Sequence, residues 1–453
     1  MIAVTPLEKW IGEKAGIASG LAGRSFVEAL ADYQLRQINE TIDYARRNTP
    51  FYRRSLASLP DAPLAALSDI GRIPFTAPSE LAAGPFGFLA VPQDEIAHIV
   101  TLRTSGSTGE AKRLFFTGGD LELTVDFFHH GMSTLVRPGQ RVAVLLPCER
   151  PDSVGDLLIR GLRRMDVDAL AYGPVADPID AARAIASFGA NCLVGIPTQV
   201  LAVALSQAGA ALAKSGTGGV ESVLLSTDYV PRAIAGRLEE RWGCRVFTHY
   251  GMTEMGLGGG VECEALDGYH LREADLFFEI VDHGTGEACP DGTAGEVVFT
   301  TLTRKGMPLI RYRTGDIARM LPDPCPCGSA LRRMGRASGR WDGAVRLGPG
   351  CVLTLPDMDE TLFGLPGVLD YRAAVLRREG GRSGLHVDVH RAEGAQHPTE
   401  QEVLDALGAV DGVRKGIAAA CLEAPVVRFS PGGAWATTGV AKRKIVVSDD
   451  AAA

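Results

Sequence analysis

The N-terminal hundred residues carry a helical spacing of apolar positions. Leu35, Ile38, Ile42 and Ala45 recur at helical intervals and fall on one face. Pro50 has no backbone donor, and its ring clashes with a preceding helical turn. The pattern therefore predicts a helix that ends before Pro50.

The middle of the chain alternates short apolar runs with amphipathic stretches. The runs 142–146, 192–196 and 222–225 are typical of buried parallel strands. Helical patterns occupy Ile179–Ser187 and Pro231–Trp242 between or after these runs. This alternation predicts an α/β fold with a largely parallel sheet.

The last third of the chain changes pattern twice. The segments 277–281 and 295–300 are rich in β-branched and aromatic residues, and turn residues separate them, which predicts a β-rich subdomain. From Arg340, helical and strand patterns alternate in a block of domain size: helix 356–363, strand 371–376, strand 386–390 and helix 399–407. We therefore predict a large N-terminal domain, 1–339, and a small α+β C-terminal domain, 340–453.

Composition and charge narrow the class of protein. Hydrophobic residues make up 46% of the 453 residues and charged residues 22%, as in soluble globular proteins. The net charge of -8 argues against a nucleic-acid partner or an anionic membrane. Met1–Trp10 lacks the apolar stretch of a signal peptide, and no apolar run is long enough to cross a bilayer.

The cysteines indicate a reducing compartment. There are nine, an odd number, and most stand singly in apolar surroundings: Cys148, Cys192, Cys244 and Cys421. This favours reduced thiols over a disulfide framework, so we predict a cytoplasmic protein. The pair Cys325-Pro326-Cys327 is the exception.

A loop rich in glycine and hydroxyl side chains is the first candidate for chemistry. Its six residues supply two glycines and four hydroxyl donors suited to a triphosphate, and Lys112 and Arg113 follow with positive charge: Thr104, Ser105, Gly106, Ser107, Thr108 and Gly109. The spacing is not that of a Walker P-loop. The alternative is a flexible linker, but the apolar segments 99–100 and 114–116 predict strands on both sides.

The segments 249–254, 312–316 and 339–342 follow this loop in the chain. In this order of motifs the sequence resembles the adenylate-forming acyl-CoA synthetases, most closely the phenylacetate–CoA ligase branch. The segments that carry the resemblance are 48–53, 73–76, 85–88, 249–254, 307–316, 325–328 and 339–342. The resemblance spans nearly the whole chain and is weakest over about 121–220 and the last hundred residues. It implies ATP or AMP and Mg²⁺ as cofactors, with CoA and a small carboxylic acid as the other substrates.

The resemblance also implies roles for individual residues, and each has a structural alternative. The adenine and ribose would contact a set that comprises Ser226, Thr227, Asp228, His249, Tyr250, Gly251, Met252 and Asp316. Thr253 and Glu254 would be catalytic, with Glu254 holding Mg²⁺. Arg313 and Arg340 would contact phosphate or ribose. The alternatives are a core tyrosine, a solvated carboxylate at Glu254, a turn aspartate and surface salt bridges.

The C-terminal domain of this superfamily turns between two half-reactions. Asp342 matches the hinge position, and Gly343 replaces the usual second acidic residue. The resemblance therefore implies that the domain 340–453 is mobile.

A metal site is predicted from four residues with nitrogen and sulfur donors. Cys325 and Cys327 lie among prolines and a glycine, as in a metal-binding knuckle. Cys263 and His270 match a cysteine and a histidine of the same branch. Together they would hold a structural Zn²⁺; the alternative is unligated buried thiols.

The sequence departs from the family pattern at three places. The adenylation lysine of the family is replaced by Val440, and Lys442, two residues away on the same face of a strand, is the candidate substitute, with Lys444 as another. Ser226-Thr227-Asp228 stands in place of a Gly/Ala-Glu-Pro run. The segment 347–356 replaces the family's Gly-x-Asn-Val-x-Pro beside the thiol channel.

The predicted function is ATP-dependent activation of an aryl or small carboxylic acid to an acyl adenylate, followed by transfer to CoA. One rival is an adenylate-forming enzyme with another acceptor, a protein thiol or an amine. The other is a nucleotide-binding homologue with little catalysis, which Val440 keeps open. A homodimer is the expectation that the resemblance gives. Residues near Tyr229, Met252 and Gly256–Gly260 are expected to line the acyl pocket.

Overall fold

The computed structural model describes residues 2–102, 111–213, 218–378, 381–392, 396–430 and 443–449. The helices in these ranges are α1 Pro6–Ala15, α2 Gly23–Asn48, α3 Pro50–Ser55, α4 Pro78–Ala83, α5 Gly118–Met132, α6 Val154–Arg163, α7 Pro178–Phe188, α8 Pro197–Leu205, α9 Arg232–Trp242, α10 Leu355–Leu362, α11 Glu400–Ala409 and α12 Asp411–Ala418. Short 3₁₀ turns include Thr253–Met255 and Trp341–Gly343.

The strands of the described ranges are β1 Ile96–Leu102, β2 Lys112–Thr117, β3 Arg141–Val144, β4 Asp168–Ala171, β5 Cys192–Gly195, β6 Ser222–Leu225, β7 Arg245–Tyr250, β8 Gly260–Glu262, β9 Tyr269–Leu271, β10 Leu276–Val281, β11 Gly295–Thr301, β12 Tyr312–Ala318, β13 Arg333–Met334, β14 Gly339–Arg340, β15 Val345–Gly348, β16 Cys351–Leu353, β17 Val368–Arg377, β18 Ser383–Arg391, β19 Val426–Ser430 and β20 Val446–Asp449. The sequence-predicted strands and helices correspond to β3, β5, β6, β10, β11, β17, β18, α2, α7, α9, α10 and α11.

Local chemistry accounts for the break between α2 and α3. Thr49 is extended, with φ -115° and ψ 134°, and its hydroxyl accepts the Tyr52 N–H at 3.1 Å. Pro50 then occupies the first turn of α3, where a missing N–H costs nothing. The prediction that a helix ends before Pro50 is confirmed.

The chain divides into two compact units. The first comprises 1–136, 157–165 and 249–337, and the second comprises 137–156, 166–248 and 338–453. These units reflect how densely the residues pack within the chain. They do not test the predicted division into domains 1–339 and 340–453, which stays a prediction.

Antiparallel sheets dominate the first unit. β1 pairs with β2, and β10, β11 and β12 form successive antiparallel pairs. Tyr250 at the end of β7 pairs with Gly260 of β8, and β9 and β13 continue that antiparallel arrangement. The predicted β-rich subdomain is present here.

The second unit contains the parallel sheet and the C-terminal α+β block. β4, β3, β5, β6 and β7 are neighbours in that order, and each pair is parallel. The C-terminal block contains a mixed sheet in the order β19–β18–β17–β20. One continuous apolar core includes Val223 and Leu238 beside the parallel sheet and Met358 and Val375 of the C-terminal block.

The predicted α/β fold class is therefore confirmed. Among the described helices, none combines the length and the apolar character needed to cross a bilayer.

Candidate active site

The predicted phosphate loop connects two paired strands. β1 and β2 are antiparallel, and Leu102 lies opposite Lys112. The strands expected on both sides of the loop are therefore present. The loop residues 104–109 themselves lie outside the described residues, so their role stays a prediction.

Lys112 begins β2 and reaches the carboxylate of Glu254. The two side chains form an ion pair, with Lys112 16% exposed and Glu254 2% exposed. The Tyr312 hydroxyl donates to Glu254 Oε1 at 3.2 Å, and Lys112 Nζ lies 3.4 Å from the same hydroxyl. Because Glu254 is buried and paired, the alternative of a solvated loop carboxylate is wrong.

Arg304 holds the turn that carries Glu254. Its guanidinium donates to the Glu254 carbonyl at 2.7 Å and to the Phe115 carbonyl at 3.3 Å. It also lies 4.3 Å from the centre of the Phe116 ring. Burial lowers the pKa of Arg304, but an arginine keeps its charge at any physiological pH. The buried cation therefore connects the turn 253–255 to β2.

Tyr250 and Asp316 form a second connection to β12. The Tyr250 hydroxyl donates to Asp316 Oδ2 at 2.9 Å, and both residues are buried. The Asp316 N–H donates to the Thr314 hydroxyl at 3.0 Å. Gly315 between them has φ +76°, a backbone conformation that favours glycine. This bend in β12 directs Asp316 toward Tyr250.

The neighbouring Arg313 has other partners. Its Nε donates to Glu296 Oε2 at 2.8 Å, and its Nη2 lies 2.8 Å from His283 Nδ1. Burial raises the pKa of the Glu296 carboxyl, but the bonds from Arg313 and His283 outweigh it and hold that pKa below its usual value. The structure thus places Arg313 in an ion pair with Glu296, and its phosphate or ribose role stays a prediction.

The segment before Glu254 is shaped by close packing. A Cβ on Gly251 would lie 2.5 Å from the Leu257 carbonyl, so only glycine fits. Met252 accepts the Met255 and Leu257 N–H groups, and Thr253 begins the 3₁₀ turn. His249 contacts the rings of Phe127 and Phe128, and burial lowers its pKa to about 4. These contacts explain the backbone path, and they do not test nucleotide binding.

The glycines 258–260 pack against protein atoms. A Cβ on Gly258 would lie 2.5 Å from the Phe127 ring, and one on Gly259 would lie 2.9 Å from the Met255 sulfur. These glycines therefore serve close packing. The acyl-pocket lining stays a prediction.

The remaining predicted nucleotide residues lie in the second unit. The Ser226 N–H donates to the Gly195 carbonyl at 3.1 Å, directly after β6. Thr227 has φ +75°, which is unusual for a β-branched residue. Asp228 lies 3.5 Å from Arg443. Backbone strain of this kind concentrates at ligand sites, and here it stands at the carboxyl edge of a parallel sheet, where ligands bind.

The hinge candidate makes a local salt bridge. Arg340 Nε lies 2.9 Å from Asp342 Oδ1, and both side chains are partly or largely exposed. This agrees with the surface salt bridge considered for Arg340. A phosphate or ribose contact for Arg340 and the hinge role of Asp342 stay predictions, as does the role of Lys442, which the described residues do not include.

The four predicted metal ligands form one buried cluster. The donor atoms of Cys263, His270, Cys325 and Cys327 all lie within 4.8 Å of one another. Cys263 Sγ is 3.5 Å from Cys325 Sγ, and Cys327 Sγ is 3.5 Å from His270 Nε2. Burial raises the pKa of Cys327, but hydrogen bonds from His270 and others lower it to about 6. A thiolate is thus available at neutral pH, and thiolates are the form that binds metal.

Neighbouring contacts hold the two loops of this cluster. Arg333 donates to the Asp267 carboxylate at 2.7 Å and to the Asp323 carbonyl at 2.9 Å. Ser329 donates to Glu8 of α1 at 2.6 Å. These contacts therefore fix the backbone segments that carry the four donors, as a structural metal site requires.

Comparisons with known proteins show the family of the chain. A family model described as AMP-binding enzyme matches residues 68–302, just over half of the chain. The chain belongs to the AMP-binding enzyme family. A phenylacetate-coenzyme A ligase of Thermus thermophilus is 29% identical over 83% of this chain and 85% of its own length. One from Aromatoleum evansii is 28% identical over 83% and 86%.

A solved structure extends the likeness to the fold. A 2-hydroxyisobutyryl-CoA ligase in the postadenylation state, in complex with 2-HIB-AMP, has a TM-score of 0.76 and 22% identity, over 94% of this chain and 90% of its own. At that identity the likeness concerns the fold alone. The resemblance to the phenylacetate–CoA ligase branch is confirmed by the curated relatives.

Three residues of this AMP-binding enzyme that contact the predicted site residues were not predicted from the sequence. Tyr312 and Arg304 bind the Glu254 turn, and Arg443 contacts Asp228. Tyr312 lies in the 307–316 motif, and Arg443 directly follows Lys442. Nothing in the sequence indicated a role for Arg304 except its place just before the 307–316 motif. Their partners are distant in sequence, so only the fold reveals the contacts.

Proposed function

We propose that this AMP-binding enzyme activates a carboxylic acid with ATP and transfers the acyl group to the thiol of CoA. A carboxylate oxygen attacks the α-phosphorus, and the bond to pyrophosphate breaks. The CoA sulfur then attacks the acyl carbon, and AMP leaves. The observation that carries the proposal is the pair of links from segment 250–254 to β12, Tyr250–Asp316 and Glu254–Tyr312.

The described side chains would contact different parts of the nucleotide. Asp316 would accept hydrogen bonds from the ribose hydroxyls, with Tyr250 orienting its carboxylate. The ammonium of Lys112, which now pairs with Glu254, would contact the phosphates when ATP binds. It can move between the two because the lysine side chain is flexible and ends in a compact positive charge. Thr253 begins the turn on which Glu254 stands. The loop 104–109 would add donors to the same phosphates.

Mg²⁺ is the cofactor that we assign to Glu254. A buried carboxylate supplies the hard oxygen that Mg²⁺ prefers, and Mg²⁺ is usually held by one or two carboxylates together with substrate phosphates. Lys112 now balances this carboxylate. The ion, when bound, would offset charge on the departing pyrophosphate.

A structural Zn²⁺ is proposed for Cys263, His270, Cys325 and Cys327. Three sulfurs and one nitrogen satisfy a closed tetrahedral site, and all four residues are buried. The cluster would join Cys263, directly after β8, and His270 of β9 to the loop before β13. A homodimer and a cytoplasmic location are also proposed, from the resemblance and from the cysteine pattern.

Pyrophosphate exchange with a panel of acids tests the function. Phenylacetate and 2-hydroxyisobutyrate are suitable members, since the similar ligases described above are named for them. We expect exchange that depends on one acid, and a CoA thioester of that acid when CoA is added. Exchange without thioester would indicate another acceptor. Tight ATP binding without exchange for any acid would indicate a non-catalytic homologue.

A further inference from the structure

Arg443 is buried in a cluster of carboxylates in the second unit. Its Nη1 and Nη2 donate to the two oxygens of Asp359 at 2.8 Å and 2.7 Å. The Arg443 side chain is 9% exposed and Asp359 is fully buried. This pair of parallel hydrogen bonds is bidentate, a geometry that a guanidinium can adopt and a lysine ammonium cannot.

Two further acids face the same guanidinium. Asp228 Oδ2 lies 3.5 Å from Arg443 Nε, and Asp370 Oδ1 lies 3.7 Å from Nη1. The Tyr371 hydroxyl donates to Asp359 Oδ1 at 2.5 Å and so fixes that carboxylate. Asp359 alone satisfies two nitrogens of Arg443. The contact of Nε with Asp228 is longer and therefore easier to make and break.

A second carboxylate of α10 contacts the segment that follows Asp228. Glu360 accepts the Tyr229 hydroxyl at 2.7 Å and the Arg232 N–H at 3.0 Å. The adjacent residues Asp359 and Glu360 thus hold Arg443 and the start of α9 at once. Asp228 follows Thr227, whose φ is +75°, and lies three residues beyond the carboxyl end of β6, so its contact connects Arg443 to that end of the strand.

We propose that Arg443 is a positioning residue for the adenylation half-reaction, and that its contact with Asp228 couples the C-terminal segment to the nucleotide end of β6. The inference rests on the proposed function. Arg443 touches no reacting atom in this account. It acts by holding segment 443–449 against α10 and Asp228, one residue after Lys442 in the sequence.

Asp228→Asn is the decisive variant, because it leaves the Arg443–Asp359 pair in place. We expect the maximal rate of pyrophosphate exchange to fall about tenfold, as for a misplaced group. In this proposal Asp228 serves Arg443 instead of contacting the nucleotide. The ATP dissociation constant and the rate of thioester formation from preformed acyl adenylate should therefore stay within about twofold. Arg443→Lys should act in the same direction, and Arg372→Lys, at an exposed arginine of β17, is the matched control.

Three outcomes would overturn the proposal. If Asp228→Asn weakened ATP binding by the same factor by which it lowers the exchange rate, Asp228 would contact the nucleotide itself. An equal fall of both half-reactions with a lower melting temperature would mean that the cluster only stabilises the fold. No change in any rate would mean that the contact has no role.

Hydrogen exchange provides a readout that needs no turnover. In the wild-type protein, ATP should slow amide exchange in 355–362 and 443–449, and Asp228→Asn should remove this protection. Absence of the protection in the wild type would overturn the coupling. Absence of pyrophosphate exchange with intact protection would instead contradict the proposed function, so the two failures are distinguishable.

Discussion

The hydroxyl of Tyr250 donates a 2.9 Å hydrogen bond to the carboxylate of Asp316, and the two residues come from different sheets. Tyr250 ends β7 and Asp316 lies on β12. The bond fixes the Asp316 carboxylate, which we propose accepts hydrogen bonds from the ribose hydroxyls. The contact thus positions the Asp316 carboxylate through a residue that is 66 positions away in the sequence.

Asp316→Asn should weaken ATP binding. A hydrogen bond to a charged group contributes about 1.5–3 kcal/mol, so the dissociation constant should rise about 10- to 150-fold. Calorimetry or nucleotide fluorescence would measure it. Tyr250→Phe removes only the hydroxyl and should have a smaller effect. Asp94→Asn, at an exposed aspartate, is the control, and equal effects in Asp94→Asn and Asp316→Asn would contradict the role.

Glu254→Gln should raise the Mg²⁺ concentration that gives half-maximal pyrophosphate exchange. The amide keeps the shape of the side chain but loses the charge that would hold the ion. It also leaves Lys112 without its buried counterion, which should cost about 1–3 kcal/mol of stability. Glu287→Gln, at an exposed glutamate, is the matched control. An unchanged Mg²⁺ dependence would remove Glu254 from the metal site.

Cys325→Ser should abolish a bound zinc ion. Metal analysis of the wild-type protein should find about one zinc per chain, since one closed site is expected. Loss of a structural metal is among the few changes that cost about 4 kcal/mol or more. Cys289→Ser, a partly exposed thiol outside the cluster, should keep the metal. Wild-type protein without zinc, and with unchanged stability in chelator, would favour unligated thiols.

His249 should make the protein less stable toward acid. Its pKa is lowered by burial from 6.5 to about 4, so between these values the unfolded chain binds one more proton. The free energy of unfolding should therefore fall by about 1.4 kcal/mol for each pH unit below 6.5. His249→Gln should lack this component. Denaturant unfolding from pH 7 to pH 5 would measure it, and equal slopes in both proteins would refute it.

Lys442→Ala should lower the rate of pyrophosphate exchange if Lys442 replaces the lysine missing at Val440. Loss of one group that stabilises the transition state typically costs about 100-fold or more. Lys415→Ala, at an exposed lysine of α12, is the matched control, and Lys444→Ala tests the other candidate. Thioester formation from preformed acyl adenylate should change little. Unchanged exchange in Lys442→Ala would exclude the substitution.

The sequence determined the local elements and the family. Apolar periodicity predicted α2, the buried strands β3, β5 and β6, and the α+β character of the C-terminal block, because side-chain spacing follows the repeat of each element. The order of short motifs predicted the branch. The four metal ligands were also predicted as one set, although Cys263 and His270 precede Cys325 and Cys327 by 55 residues or more in the printed sequence.

Tertiary structure alone decided which charged groups meet. Lys112 and Glu254 are 142 positions apart, and Arg443 and Asp359 are 84 apart. Periodicity reports which face of an element is buried but not which other element covers it. Arg313 shows the same limit, since its motif suggested a ligand contact and the fold pairs it with Glu296. A buried charge must find a partner within a few ångströms, and only the packing of distant segments determines which partner that is.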